Sequence, residues 1–443
     1  MMISYLFPPT AGSGVQRSAK FVKYLPRFGW RPVVVAARGR YLTRAYGVDP
    51  TLAEGLGGAR VWRLGEWDLR PIFEAARRLA GPEPEVGATD RVGRQCRRAW
   101  RALFDLAEKG LRVRQFNPWV LNAFALGRRL IRKHGIRVIY SSHPPIYAHV
   151  AAWLLSRATG LPWVADYRDP YTTEVGWAQG PCWYARYLRR LEARLVRQAK
   201  TVVSVGKGWT EDMRSGFPDE PPEKFRTIRN GYDEKDFNVQ PIRGTGEVTI
   251  VHAGLFYWGH RDPTVFLRAV AKWAGPDGVL PGVGRLGLDF LGPEDVTLRS
   301  RVGELGLQRI VHMPGRVAHA ECVARLLGAD LVLVVNGPSD DPHALTTLTG
   351  KLYEALGSMR PVLALTGEKS EMAELCREVG GCWVADVNDE EGIIRCLQAW
   401  ACCVSKARLP ERSRQAVAQL TREAQAKHLA DVFDLAVGGR GEC

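Results

Sequence analysis

The chain has 443 residues, 46% of them hydrophobic and 25% charged, with a formal net charge of +15. That is more chain than one hydrophobic core usually serves, so two domains are expected. The composition is that of an ordinary globular protein, and no apolar run approaches the ~18 residues needed to cross a bilayer.

The excess charge is uneven. Residues 77–137 hold 15 Lys and Arg against 5 Asp and Glu. Arg91, Arg94, Arg97, Arg98 and Arg101 interleave there with Trp100 and Phe104, and Arg128, Arg129, Arg132 and Lys133 follow. Arginines beside large apolar groups fit an anionic membrane surface, and they also fit a plain solvated helix face. Without a helix-turn-helix, zinc or RNP-type signature, no nucleic acid partner is expected. Nine cysteines, none in a C-x-x-C pair, argue against a disulfide framework or a zinc site, so no metal is expected. The start of the chain lacks the basic, apolar and small-residue regions of a signal peptide. A cytoplasmic protein is expected, with a place on the inner membrane face if the basic segment binds lipid.

In chain order, apolar runs alternate with helical patterns, which predicts parallel α/β units. A strand is expected over 3–7, a helix over 16–28 and a strand over 32–37. Residues 41–75 are less regular, and 82–85 read as a loop. Further strands are expected over 138–141, 163–165 and 201–205. A second series of strands covers 248–252, 288–291, 310–313, 331–335 and 362–365, with helices over 263–273, 320–327 and 351–358. Residues 410–437 read as one late amphipathic helix. The expected fold is α/β, with two Rossmann-like domains over 1–240 and 241–405. They would face a central cleft with ligands at the C-terminal strand ends. Residues 406–443 form a helix expected to return to the first domain.

Gly12-Ser13-Gly14 lies between the first strand and first helix. Arg17 stands where a dinucleotide fingerprint needs its third glycine, and Ala37-Arg38 ends strand two without an acid, so a hydride enzyme is excluded. A phosphate or a sugar passing close to the backbone fits, as does a plain tight turn. His143 follows one strand end. Asp166, Arg168 and Asp169 end the next, either to position an acceptor hydroxyl or as an internal ion pair. Gly254, Tyr257, Gly259, His260 and Arg261 occupy the loop after the first strand of the second half. Gly292 and then Arg316 with Val317 follow its next two strands. Thr349-Gly350-Lys351 opens a helix with Glu354 one turn on. Helix amides and a lysine suit a diphosphate, and a carboxylate suits a ribose diol. A surface ion pair and a glycine cap would explain the same ten residues.

Tyr5-Leu6-Phe7-Pro8-Pro9 with Gly12 to Arg17, Asp166 to Pro170, Asn230-Gly231-Tyr232-Asp233 and Thr349 to Glu354 together resemble family 4 glycosyltransferases of the GT-B fold. Within these they resemble the bacterial enzymes that build surface polysaccharides and O-antigens. The resemblance runs from residue 1 to about 400, and 41–135 carry little of it. It implies metal-independent hexosyl transfer with retention, from a nucleotide-diphospho-sugar to a lipid-linked or small-molecule acceptor, with no cofactor. It implies that Glu354 binds the ribose, and that Lys351, the Thr349 and Gly350 amides and Arg261 or His260 serve the diphosphate. Arg316 and Val317 would border the base, Gly12 to Gly14 would lie under the donor, and His143 would touch its sugar. His143, Lys351 and Arg261 form the expected catalytic set, and Arg17, Asp166, Arg168 and Asp169 the acceptor side. The family often carries a glutamate where Thr346 stands, so Asp340, Asp341 or His343 is a candidate replacement. A nucleotide-sugar epimerase or hydrolase of the same fold, or a non-catalytic nucleotide-sugar binder, is the alternative.

Overall fold

Runs of branched apolar residues form the centres of two separate sheets. The computed structural model describes residues 1–39, 47–65, 118–171, 182–244, 246–256, 258–259, 261–408 and 410–438. The expected loop 82–85, the arginines from Arg91 to Arg101, Tyr257 and His260 lie outside the described residues. The chain divides into two compact units. Met1–Val203, Phe217–Arg226 and Ala430–Cys443 make the first, and Ser204–Gly216 with Thr227–Leu429 the second. The division therefore falls earlier than residue 240.

In the first unit the strands are β1 (Met2–Ile3), β2 (Val33–Ala37), β3 (Arg60–Leu64), β4 (Ile139–His143), β5 (Trp163–Tyr167), β6 (Thr201–Ser204) and β7 (Phe225–Thr227). Their order is β3-β2-β1-β4-β5-β6-β7. The pairings β1–β2, β2–β3, β1–β4 and β4–β5 are parallel. Every residue of β2 is buried, as expected of a strand covered on both faces. The helices are α1 (Ser13–Tyr24), α2 (Thr51–Glu54), α3 (Trp119–His134), α4 (Tyr147–Thr159) and α5 (Cys182–Gln198).

Two expectations shift here. The strand expected over 3–7 ends at Ile3, and the Ser4 hydroxyl instead bonds Leu6 O and Ser18 Oγ. The helix expected over 16–28 begins at Ser13, because Gly12 takes φ 122°, a conformation that suits glycine. It tightens to a 3-10 turn over Leu25–Phe28, where Pro26 has no amide to donate.

The second unit repeats the plan. Its strands are β8 (Val248–Ala253), β9 (Val279–Leu280), β10 (Gly284–Leu291), β11 (Val311–His312), β12 (Leu331–Val335), β13 (Val362–Leu365) and β14 (Cys382–Ala385). They run in the order β11-β10-β8-β12-β13-β14, and β9 pairs antiparallel to β10. The helices are α6 (Lys207–Gly216), α7 (Thr264–Ala274), α8 (Val296–Glu304), α9 (His319–Gly328), α10 (Pro342–Thr346), α11 (Gly350–Gly357), α12 (Glu371–Val379), α13 (Glu390–Ser405), α14 (Arg414–Ala418) and α15 (Arg422–Gly438). One core packs Phe266, Leu288, Leu333 and Trp400, and another packs Val332, Leu352, Leu356 and Met372. Each such burial contributes roughly 1.5–3 kcal/mol.

The single helix expected over 410–437 is broken into α14 and α15. Tyr232 inserts at the break, its amide bonding Leu420 O and its carbonyl taking Arg422 N. That bridge explains why Asn230-Gly231-Tyr232 belongs to the second unit. A Cβ on Gly231 would stand 2.3 Å from Leu420 O, and one on Gly357 2.6 Å from the Tyr232 ring. The residues of α15 from Ala430 on belong to the first unit, where Trp30 Nε1 donates to Asp434 Oδ1 at 3.1 Å and Phe433 packs on Trp30 and Tyr140.

Candidate functional site

Both sheets reverse strand order once, at β1/β4 and at β8/β12. In open α/β sheets the C-terminal ends at such a reversal bind ligands. Among the described candidates, Gly12, Gly14 and His143 lie at or just past the ends of β1 and β4, Gly254 just past β8, and Lys351 on the helix after β12.

In the second unit, α11 begins at Gly350 with no acidic residue in its first turn and no side-chain bond from its cap Thr349. The Thr349 hydroxyl is buried without a hydrogen-bond partner. A Cβ on Gly350 would meet nothing within 4 Å, so the helix start is open. Lys351 turns toward the end of β8. Its Nζ donates to Leu255 O at 2.5 Å and lies 3.4 Å from His252 Nε2. Gly254 gives it room, since a Cβ there would stand 2.5 Å from Lys351 Cε. Burial and then the Arg261 charge lower the Lys351 pKa to about 8. Glu354 is half-buried on the same helix and acts electrostatically on Lys351 and on Cys322.

Sequence reasoning missed His252. It is 1% exposed, its Nδ1 bonds Leu333 O at 2.9 Å, and its ring stacks on Phe256 at 4.2 Å. Burial and the Lys351 charge hold its pKa well below the usual histidine value. The ring is therefore neutral, with the Nδ1 proton on the carbonyl and the Nε2 lone pair facing Lys351. The signal was a titratable ring near the C-terminal end of a buried strand. Asn336 was missed too. It follows β12, and its amide donates to Ala344 O at 2.7 Å, pinning the segment that carries α10.

Gly254 and Gly292 touch: a Cβ on Gly292 would stand 2.8 Å from Gly254 O. Beside them opens a pocket of about 200 Å³ with Phe256, Phe290, Leu298 and Met313 in its wall and Gly315 at its edge. Arg316 is exposed, and Val317 packs partly on the core. Thr346 Oγ1 accepts from Trp209 Nε1 at 3.1 Å, and its methyl fills the space a Cβ on Gly208 would need. Asp341 caps α10 through the His343 amide at 2.9 Å, Asp340 is exposed and His343 is half-buried.

In the first unit, Arg17 and Asp166 meet in a buried, two-bond ion pair, each bond 2.9 Å, and the Tyr140 hydroxyl also donates to Asp166. Of the two readings of that loop, the internal ion pair describes Asp166. His143 is 3% exposed, with Nδ1 3.3 Å from Asp169 O, and burial, His149 and Arg168 hold its pKa well below the usual value. Gly12 is exposed and Gly14 half-buried at the start of α1. Of the basic segment, α3 carries Arg128, Arg129, Arg132 and Lys133 around a shallow hollow beside Phe124. Among the described residues, no group of His, Cys, Asp and Glu could hold a metal ion, and no helix is long and apolar enough to cross a membrane.

Two Rossmann-like units, each with one reversal of strand order, define the α/β fold of the GT-B proteins. Residues 80–236 match the family model described as Glycosyltransferase Family 4. A glycosyltransferase from Rickettsia africae is similar in structure, with a TM-score of 0.61 at 12% identity, covering 100% of this chain and 99% of that one. Sucrose-phosphate synthase from Thermosynechococcus elongatus gives 0.58 at 15%, covering 99% and 98%. A putative UDP-N-acetylglucosamine 2-epimerase from Listeria monocytogenes gives 0.52 at 14%, covering 99% and 96%. At these identities the likeness is one of fold. The sequence has no significant match among curated proteins.

Proposed function

We propose that the protein is a glycosyltransferase that moves a sugar from a nucleotide-diphospho-sugar to a hydroxyl of a lipid-linked, polysaccharide-precursor or natural-product acceptor, with retention of configuration. The observation that carries this reading is the Lys351 ammonium, seated on Leu255 O beside the open start of α11. Lys351, Arg261 and the α11 amides stabilise the charge that grows on the departing diphosphate. Glu354 takes the ribose hydroxyls, and the pocket beside Gly254 and Gly292 takes the base. His143, neutral and pinned, offers a hydrogen bond to the sugar rather than a charge. Thr346 supplies no carboxylate and its hydroxyl is held by Trp209 Nε1, so it offers the sugar no charged partner. The basic hollow of α3 favours an anionic lipid surface near the acceptor.

A thermal-shift screen against UDP-, GDP- and ADP-linked sugars tests the reading, because a ligand of the folded state stabilises it by mass action. At least one donor raises the melting temperature of the wild type and not that of Lys351→Ala. Equal shifts in both proteins would remove the diphosphate role. Conversion of the donor without any acceptor would favour the epimerase or hydrolase reading.

A further inference from the structure

Two thiols meet where α12 runs into β14. Gly380 and Gly381 both take positive φ, 72° and 66°, and these successive left-handed residues reverse the chain in one short turn. Cys376, near the end of α12, is thereby brought onto Cys382, the first residue of β14. The Cys376 thiol donates to the Cys382 sulfur, and both cysteines are free. They differ in access. Cys376 is 2% exposed, whereas Cys382 is only half-buried and can be reached from solvent.

A cation stands beside the accessible sulfur. Arg412 reaches the turn from the segment before α14, and its Nη2 lies 3.6 Å from Cys382 Sγ. Its remaining bonds go to carbonyls: Nε to Gly380 O at 3.2 Å, Nη1 to Leu356 O at 3.2 Å and Nη2 to Gly381 O at 2.8 Å. Among the described residues no carboxylate pairs with this guanidinium, so its charge is available to a thiolate. As a thiol, Cys382 donates to Gly380 O at 3.3 Å. As a thiolate it gives up that bond and keeps Cys376 and Arg412. The bond from Cys376 and the Arg412 charge hold the Cys382 thiol below its usual range, and the same bond and burial push Cys376 up. The exposed sulfur is thus the nucleophile, and the buried one holds its proton.

We propose that Cys382 and Cys376 form a reversible redox-modification site that reacts with hydroperoxides and closes to an intrachain disulfide. The Cys382 thiolate attacks one peroxide oxygen, an S–O bond forms as O–O breaks, and the departing hydroxide takes up a proton as water. The Cys376 sulfur then displaces hydroxide from the sulfenic acid, S–S forms, and the Cys376 proton leaves with that hydroxide as a second water. Two thiols are oxidised and one peroxide is reduced to two waters. A dithiol reductant restores both cysteines by thiol–disulfide exchange. The inference rests on the α12–β14 turn alone and does not depend on the donor reading.

The full chain, reduced and then freed of reductant, is exposed to hydrogen peroxide, alkylated with iodoacetamide and digested with trypsin for mass spectrometry. Trypsin cuts after Arg377, so the disulfide joins peptides 370–377 and 378–395. The joined peptide grows with peroxide and disappears on treatment with dithiothreitol. In Cys376→Ser the Cys382 sulfur has no resolving partner and passes on to sulfinic and sulfonic acids. Joining slows at least fivefold in Arg412→Gln and recovers in Arg412→Lys, with circular dichroism melts to show that each variant is folded. The wild type and Cys376→Ser decide the pair even if the Arg412 variants do not fold. Two alkylated thiols at peroxide doses that oxidise the exposed Cys402 overturn the proposal. So does wild-type protein in which Cys382 is over-oxidised while Cys376 remains alkylated. An unchanged rate in folded Arg412→Gln removes the part assigned to Arg412.

Discussion

The low pKa of Lys351 makes nucleotide binding sensitive to alkaline pH in a calculable way. Burial and Arg261 bring it from 10.5 to about 8, a penalty of about 3 kcal/mol on the ammonium in the empty site. An incoming diphosphate removes much of that penalty, so binding favours the charged lysine. The ammonium is intact below pH 8 and is lost as pH rises through about 8. Between pH 7 and pH 9 the charged fraction falls roughly tenfold, and the apparent Kd for UDP rises by the same factor. The second phosphate ionisation, near 6, lies below this window. His252 stays neutral throughout, and the Cys322 thiol, raised to about 12 by burial and Glu354, lies above it. In the ligand-free protein the same shift has the opposite face. The unfolded chain holds the Lys351 proton longer, so stability rises between about pH 8 and 10.5. Calorimetry with UDP from pH 6.5 to 9.5 reads the binding effect directly. Lys351→Ala binds UDP about 10- to 100-fold more weakly at pH 7, as expected for one charge-assisted bond, and its profile is flat from pH 7 to 9. A flat wild-type profile, or an unchanged slope in Lys351→Ala, would refute the reasoning.

Three further outcomes are expected. His252→Phe keeps the stack on Phe256 but removes the Nε2 acceptor, and it weakens UDP binding about 3- to 10-fold. In a Lys351→Ala background it has no further effect, whereas a purely structural role would persist there. Gly357→Ala drives a Cβ into the Tyr232 ring and destabilises the fold by about 1–3 kcal/mol in urea unfolding, while Gly350→Ala stays within about 0.5 kcal/mol and loses UDP affinity. Asp166→Ala strands Arg17 without its partner and costs about 3–5 kcal/mol, read as a lower urea midpoint. A loss below about 1 kcal/mol would contradict the buried pair.

What could be read from the sequence was local. Lys351 and Glu354 share one helical turn, and Gly12 and Gly14 share one loop, so spacing alone brings each pair together. The parallel α/β plan followed from apolar runs alternating with helical patterns. What escaped depends on pairing across long stretches of chain. His252 gains its role from Leu333 O and Lys351, 81 and 99 residues away. Arg17 and Asp166 are 149 residues apart. The break between α14 and α15 is set by Tyr232, since no Gly or Pro stands between Ala418 and Arg422. The position of Arg168 against Gly14 could be known only once β4 was placed between β1 and β5.

Transfer of the sugar itself tests the account most directly. The protein, a donor identified by thermal shift and a panel of polyprenyl-phosphate-linked and soluble acceptors are incubated, and products are weighed by mass spectrometry. The account predicts nucleoside diphosphate release matched by an acceptor one sugar heavier, reduced at least tenfold by Lys351→Ala. Donor binding with no glycosylated product across the panel, or undiminished transfer by Lys351→Ala, would contradict it.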